Sequence, residues 1–336
     1  MTVQPRASIA LLGAGSWGTA LAILLSRNGA RVKLWSHLQS HAEALQRERE
    51  NSEFLPGHHF PTDLTPTADL AFALSGVDEV LIAVPSHAFA SVLGETQRLI
   101  PPGTTLSWAT KGLHPGSGAL LHELVEEYSH IASTAVISGP SFAAEVAGGL
   151  PTALTVASLS TEHATRLAGY LHSDSFRVYT SMDVIGLEVG GAAKNVMAIA
   201  AGIADGLGFG ANTRAALITR GLAEIMRLGL ALGGKPETFM GLGGLGDLIL
   251  TCTDNQSRNR RMGLALARGL TIEQARQEIG QEVEGVPTTR EIYQKAQTLG
   301  VDMPITEQTY HVLYQGLSPR AAVQALLERR QRQEAE

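Results

Sequence analysis

Between Val189 and Ala204 the only charged residue is Lys194, set among Ala192, Ala193, Val196, Met197 and Ile199. An ammonium group held among such neighbours loses hydration, which lowers its pKa unless a carboxylate compensates. A lysine so placed exchanges a proton near neutral pH. One that extends its head group to solvent does not, and the residues alone leave both roles open. Asp247 is a second isolated charge, within Gly241-Leu242-Gly243-Gly244-Leu245-Gly246-Asp247-Leu248-Ile249-Leu250. Glycines at this density let a backbone or ligand approach closely. An aspartate in one apolar segment is the natural partner of a lysine in another, with a helix cap as its simpler role.

Two further segments are suited to anions. Thr253-Asp254-Asn255-Gln256-Ser257-Arg258-Asn259-Arg260-Arg261 precedes a predicted helix. With Ser257 as N-cap, free N–H groups face outward beside Arg258, an arrangement that binds anions; a solvated charged face is the alternative. Near the N-terminus, Gly13-Ala14-Gly15-Ser16-Trp17-Gly18 is a G-x-G-x-x-G pattern. It follows a predicted strand, opens a predicted helix and lies in a βαβ unit of about 30 residues, the setting of a dinucleotide-binding turn. Gly13 would make the tight turn, Gly15 would admit the pyrophosphate, and Gly18 would let helix and strand pack closely. A site selective for NAD(H) usually ends its second strand in an acid that grips the ribose 2′-hydroxyl. Here the strand ends Leu34-Trp35-Ser36-His37. The missing acid permits a 2′-phosphate, to which Ser36 and His37 can donate, so NADP(H) is favoured and NAD(H) remains possible.

The elements that must carry these residues follow from hydrophobic periodicity. Short apolar runs at residues 9–12, 32–35, 80–84, 105–108, 135–137, 153–156 and 176–179 predict strands. The gaps between the earlier ones hold helices, the first over residues 16–27 with Asn28-Gly29 as its stop, which predicts a mainly parallel sheet. After about Val189 the strand signal fades. Residues 190–234 have helical spacing, and helices are predicted over 258–268, 271–279, 288–299 and 306–315. Ser257, Thr271, Thr288 and Thr306 are the expected N-caps, and Gly269, Gly280, Gly300 and Gly316 the stops. The fold class is therefore α/β: a Rossmann-type domain over residues 1–188, followed by an all-α domain over residues 189–336. Without a Pro/Ser linker, the two should pack tightly. Residues 329–336 read as a solvated, mixed-charge end.

Bulk properties narrow the function. A chain of 336 residues is long enough for two domains. A formal net charge of -6, and three arginines without interleaved aromatics, disfavour nucleic acid as a partner. One cysteine, Cys252, excludes an internal disulfide and fits a reducing cytoplasm. The uncharged stretch from Ala7 to Leu25 has the length of a targeting or membrane segment, but its glycines, Ser16 and Thr19 interrupt it where aliphatic residues would be needed. No membrane span is expected. Asn255-Gln256-Ser257 matches a glycosylation sequon, which has no meaning without secretion. The eleven histidines are scattered, His58-His59 beside Pro56-Gly57 reads as a loop, and no metal site is expected.

With these residues in view, the chain resembles the bacterial NAD(P)-dependent glycerol-3-phosphate dehydrogenases over nearly its whole length. The resemblance is carried by GAGSWGTALA from Gly13, VPSH from Val84, WATKG from Trp108, SGPSFAAE from Ser138 and GGAAKNV from Gly190. It continues in DGLGFGANTRAALITRGLAE from Asp205 and GLGDLILTCTDNQSRNRR from Gly244. It implies a Rossmann domain, a helical domain, an active site in the cleft between them, and a homodimer, which the single cysteine places in the cytoplasm. By position it implies cofactor contacts at Ser16, Trp17, His37, Lys111, Ala143, Arg258 and Glu284. Substrate contacts are implied at Lys111, Gly139, Ser141, Lys194, Asp247, Ser257, Arg258 and Asn259. Ser141 stands where threonine is also common, and the hydroxyl is kept.

The implied reaction interconverts dihydroxyacetone phosphate and sn-glycerol 3-phosphate for phospholipid synthesis. Lys194 is the expected proton donor and acceptor, and Lys111 the stabiliser of the alkoxide charge. Asp247 orients Lys194 and bonds a substrate hydroxyl. Two other readings share parts of this pattern: a β-hydroxyacid dehydrogenase, whose substrate carries a carboxylate and no phosphate, and a non-catalytic NADP(H) sensor, which would not need Lys194 and Asp247.

Overall fold

The computed structural model describes residues 6–128 and 131–329. Among these residues ten strands form, all before the long helices: β1 (Ser8–Leu12), β2 (Arg31–Trp35), β3 (Glu50–Asn51), β4 (Leu55–His59), β5 (Leu64–Thr67), β6 (Glu79–Ile82), β7 (Thr105–Trp108), β8 (Ser133–Ser138), β9 (Thr152–Ala157) and β10 (Phe176–Ser181). Eight of them make one sheet in the order β10-β9-β8-β7-β6-β1-β2-β5. Every pair is parallel except β8 with β9. The strands read as continuous apolar runs because both faces of the sheet are covered. In β1, Ile9 and Leu11 pack with Leu21 and Leu25 of the Ser16–Arg27 helix, while Ala10 and Leu12 join Val80, Ile82, Leu106 and Trp108 on the opposite face.

The second half is helical, and the Val184–Gly206 helix is its axis. Asp183 caps it by accepting from the Gly186 N–H at 2.8 Å. The helix runs unbroken through residue 189. By length and composition it is apolar enough to cross a membrane, but 89% of its apolar window is buried within the protein, so it is a core helix. Its largest packing surface is with the Arg258–Ala267 helix. Gly202 and Gly263 sit where the two cross, and a Cβ on either would run into the other helix's backbone. That close crossing brings the 255–261 segment against the central helix.

The mainly parallel sheet followed by helices is as expected, and several details differ. His58 and His59 belong to β4, which pairs antiparallel with β3. The Glu50 carboxylate accepts the Gly57 N–H at 2.8 Å, so a side chain supports this short ladder where Pro56 and Gly57 weaken it. Thr288 and Thr306 are not N-caps. The helices there begin at Gly285 and Pro304, and both residues lie inside them. Strands β3 to β5 and the Pro236–Met240, Asp247–Thr253 and Pro319–Leu327 helices were not anticipated. Ser257 and Thr271 do cap their helices, Thr271 in a full capping box with Gln274. The expected mixed-charge end lies, beyond Arg329, outside the described residues.

Candidate active site

At the carboxyl ends of β1 and β6, a cleft of about 340 Å³ opens between the sheet and the helical half. One wall is the glycine fingerprint. Gly13 turns with φ +118°, and a Cβ there would meet the Ala83 carbonyl oxygen at 2.7 Å. A Cβ on Gly18 would collide with the Gly13 carbonyl oxygen, whereas one on Gly15 meets no protein atom within 4 Å. The space before Gly15 is therefore left by the fold for something else. The Ser16–Arg27 helix opens onto it with no side-chain cap, so its first N–H groups and the positive end of its dipole face the cleft. The buried indole N–H of Trp17, a cleft residue, has no protein partner. An open cradle, free backbone donors and an unpaired indole fit a dinucleotide diphosphate.

The opposite wall is charged. Lys194, from the middle of the central helix, is 6% exposed and donates to Asp247 Oδ1. Lys111, on the loop after β7, donates to Asp247 Oδ2 at 2.8 Å and to the Gly139 carbonyl at 3.3 Å. The aspartate begins the Asp247–Thr253 helix, after a π-helical turn at Leu242–Gly246. Gly190 lets that turn press on the central helix: its Cβ would lie 2.6 Å from the Gly243 carbonyl oxygen. Gly191 does the same for β8, since a Cβ there would lie 2.7 Å from Ser138 Oγ, and the Lys111 Cγ passes beside it in ordinary contact at 3.8 Å. Burial pulls Lys194 down to about 7, and the nearby charge of Lys111 acts in the same direction; Asp247 offsets only part of this. For Asp247, burial alone would raise the pKa, but the two ammonium groups outweigh it and hold it below the ordinary carboxylate value. The cluster thus keeps an ionised aspartate behind a lysine poised to gain or lose a proton near neutrality.

Next to this cluster lies the start of the Arg258–Ala267 helix. Ser257 caps it through Arg260 N at 3.2 Å, and Arg258 lines the cleft. Arg260 turns away to Asp205, at the end of the central helix, and to Asn255 at 3.1 Å, which fixes the segment from behind. Asn259 donates to Asn195 Oδ1 at 2.9 Å and accepts from Gly285 N at 2.8 Å. Glu284 crosses to the sheet side, where Ser86 donates to it at 3.1 Å. Burial raises Glu284 to about 7, with Ser86 and Arg258 acting against the rise. Burial also lowers Arg258 from its ordinary value, again opposed by Glu284.

Of the residues singled out from sequence, Gly15, Ser16, Trp17, Lys111, Ser141, Ala143, Lys194, Ser257, Arg258, Asn259 and Glu284 line this one cleft. Gly13 and Gly18 lie beneath its floor, and Gly139 supports Lys111 and Ser141 through its carbonyl, the latter at 3.0 Å. Asp247 is 1% exposed and stands behind the lysines, not on the wall. His37 is exposed at the end of β2 and is not part of the wall. Ser36 is buried, with its hydroxyl against His41 Nδ1 at 3.0 Å. Asn195, Thr251 and Arg261 also line the cleft and were not anticipated. Asn195 had a signal in its place beside Lys194; the other two had none beyond nearness to Asp247 and Arg258. Among the described residues, no group of three or more His, Cys, Asp or Glu side chains is placed to hold a metal ion.

A description of the NAD-dependent glycerol-3-phosphate dehydrogenase N-terminus matches residues 8–164, and the matching C-terminal description covers residues 183–324. The chain belongs to this family. Glycerol-3-phosphate dehydrogenase [NAD(P)+] from Pseudoalteromonas translucida is 56% identical over 329 residues, covering 97% of this chain and 98% of the relative. The enzyme of that name from Methylococcus capsulatus is 56% identical over 324 residues, covering 96% and 97%. The crystal structure of glycerol-3-phosphate dehydrogenase from Coxiella burnetii superimposes with a TM-score of 0.94 at 50% identity, covering 96% of this chain and 99% of that one. D-Mandelate dehydrogenase shares the fold alone, with a TM-score of 0.63 at 14% identity. The family resemblance expected from GGAAKNV and GLGDLILTCTDNQSRNRR is borne out.

Proposed function

We propose that the protein is an NAD(P)-dependent glycerol-3-phosphate dehydrogenase that reversibly reduces dihydroxyacetone phosphate to sn-glycerol 3-phosphate. In this reading it favours NADP(H) over NAD(H), works in the cytoplasm as a homodimer, and supplies glycerophospholipid synthesis. The observation that carries the reading is the buried Lys194–Asp247–Lys111 cluster facing the same cleft as the Ser257–Arg258 helix start. A carbonyl-reducing centre and a phosphate grip lie side by side.

Gly15, Ser16 and Trp17 would hold the cofactor diphosphate, with His37, Ala143, Lys111, Arg258 and Glu284 as further contacts. When bound, the nicotinamide supplies and accepts the hydride. Lys194 in its ammonium form donates a proton to the oxygen on C2 of the substrate, and in the reverse direction takes it back. Lys111 stabilises negative charge on the same oxygen. Asp247 has both carboxylate oxygens occupied by the lysines, so it acts by holding them in register. Ser257, Arg258 and Asn259 take the substrate phosphate, with Gly139 and Ser141 beside them. That remote grip fixes the geometry at C2.

Loss of NADPH absorbance on adding dihydroxyacetone phosphate tests the reading. Turnover is expected with this substrate, and little with unphosphorylated dihydroxyacetone or a phosphate-free hydroxyacid pair. NADPH should serve at least as well as NADH, since no acid follows Trp35. Preferential turnover of the carboxylate substrate would replace this reading with a hydroxyacid dehydrogenase.

A further inference from the structure

We propose that Glu188 is a positioning residue for this reaction: by tying the central helix to the end of β7, it sets how Lys194 and Lys111 meet across Asp247. The inference rests on the proton-transfer reading of Lys194 and extends it to a residue remote from the cleft.

The argument starts from where the two lysines are carried. Lys194 lies six residues after Glu188 on the Val184–Gly206 helix, and Lys111 lies three residues after Trp108, the last residue of β7. The helix and the strand belong to different halves of the chain, so their relative placement is set by packing between them. Glu188 is buried in that interface, its side chain 3% exposed. Its Oε1 accepts the Trp108 indole N–H at 3.0 Å and the His122 backbone N–H at 3.1 Å, and His122 Nδ1 lies against Oε2. Three directional bonds converge on one carboxylate from the strand side.

Such a bond set is costly to build. Burial raises the Glu188 pKa, and His122, which burial alone would lower, is raised by the carboxylate beside it. A well-packed apolar side chain would serve stability as well or better. What an apolar side chain lacks is direction, and direction is what this site needs. Lys111 crosses the central helix at Gly191 to reach Asp247, so a slide of strand against helix moves one ammonium group relative to the other. Displacements of about 1 Å at reacting groups can cost on the order of a hundredfold in rate. Neither Glu188, Trp108 nor His122 lines the cleft, so their influence reaches the substrate only through the lysines.

Competitive acetylation of the ligand-free enzyme across pH, read lysine by lysine by mass spectrometry, gives the titration midpoint of Lys194 without any turnover. In Glu188→Ala, water entry and a more distant Lys111 should both move that midpoint upward, by about half a unit or more. Steady-state kcat for dihydroxyacetone phosphate should fall about tenfold or more, with KM changed less than about threefold. Glu188→Gln keeps the acceptor for Trp108 and the His122 backbone, and should recover most of both properties. Should Glu188→Ala fail to fold, the Trp108→Phe/His122→Ala double variant removes the side-chain donors, keeps the carboxylate, and should shift the midpoint in the same direction. A variant that melts earlier but keeps the parent's midpoint and kcat would make Glu188 a structural peg and overturn the proposal. A shifted midpoint in an enzyme that does not turn over dihydroxyacetone phosphate would instead remove the substrate reading and leave the positioning role standing.

Discussion

The two walls of the cleft meet their ligands by opposite means. On the fingerprint wall the working parts are backbone N–H groups and missing side chains: Gly13 shapes a turn, Gly18 permits contact, and Gly15 leaves space. On the lysine wall the working parts are long charged side chains, each held by a partner from another element, as Lys194 and Lys111 are by Asp247. Backbone donors come already placed by the helix that carries them. Side-chain charges must be placed by further interactions and kept from water to be tuned. The first wall should therefore be sensitive to added atoms, the second to lost charge.

The largest effect is expected at Lys194. Lys194→Ala should lower kcat by at least about a hundredfold, the lower range for losing a general acid, while NADPH affinity by fluorescence titration stays near the parent value. In the parent, a Lys194 midpoint of about 7 in the ligand-free enzyme means that kcat/KM for ketone reduction falls as pH rises through neutrality, and kcat/KM for the oxidation of sn-glycerol 3-phosphate rises over the same range. A variant that retained most of its activity would move Lys194 from chemistry to packing and erase the contrast between the walls. Next comes Arg258→Ala. Charge-assisted bonds to a phosphate contribute roughly 1.5–3 kcal/mol each, so two of them amount to about a hundredfold or more in kcat/KM. The loss should appear with dihydroxyacetone phosphate and scarcely with dihydroxyacetone. NADPH affinity measured on the same protein separates a substrate contact from a cofactor contact, and equal losses with both substrates would reassign the arginine.

The smallest effects sharpen the fingerprint wall. Gly15→Ala adds a methyl group where the protein has no atom, in a backbone conformation alanine accepts, so the melting temperature should hold while the NADPH dissociation constant rises about tenfold, or about 1.4 kcal/mol. Gly18→Ala drives the same methyl group into the Gly13 carbonyl and should cost about 1–3 kcal/mol of stability, read as a lower melting temperature before any ligand is added. If the two variants behaved alike, the space before Gly15 would not be a ligand site.

What could be read from sequence divides along similar lines. The parallel strands were visible because both faces of the sheet are covered, which makes them continuous apolar runs. Lys194 and Asp247 were visible because a charge inside an apolar run is conspicuous. Strand β5 was hidden because Leu64-Thr65-Pro66-Thr67 is short and peripheral, with Leu64 its only large apolar residue. The starts of two helices were misplaced because their caps come from far away in the chain. Glu224 accepts from Ile305 N at 2.6 Å and Thr306 N at 3.1 Å, and Asn259 accepts from Gly285 N at 2.8 Å. A local capping rule cannot see either partner. The retreat of Asp247 behind the lysines was equally beyond spacing rules, since it depends on where the π-helical turn presses on Gly190.

The central helix, finally, works as a ruler whose unit is the residue. Glu188, Lys194, Asn195 and Asp205 are all read off one unbroken rod, and they meet partners on other elements: β7, the Asp247–Thr253 helix and the Arg258–Ala267 helix. On an α-helix one residue more or less turns everything beyond it by about 100° and shifts it by about 1.5 Å. Substitutions along the rod disturb one station at a time. An insertion or deletion between Glu188 and Asp205 would turn the stations beyond it away from their partners together, so this stretch of the chain can change its letters far more readily than its length.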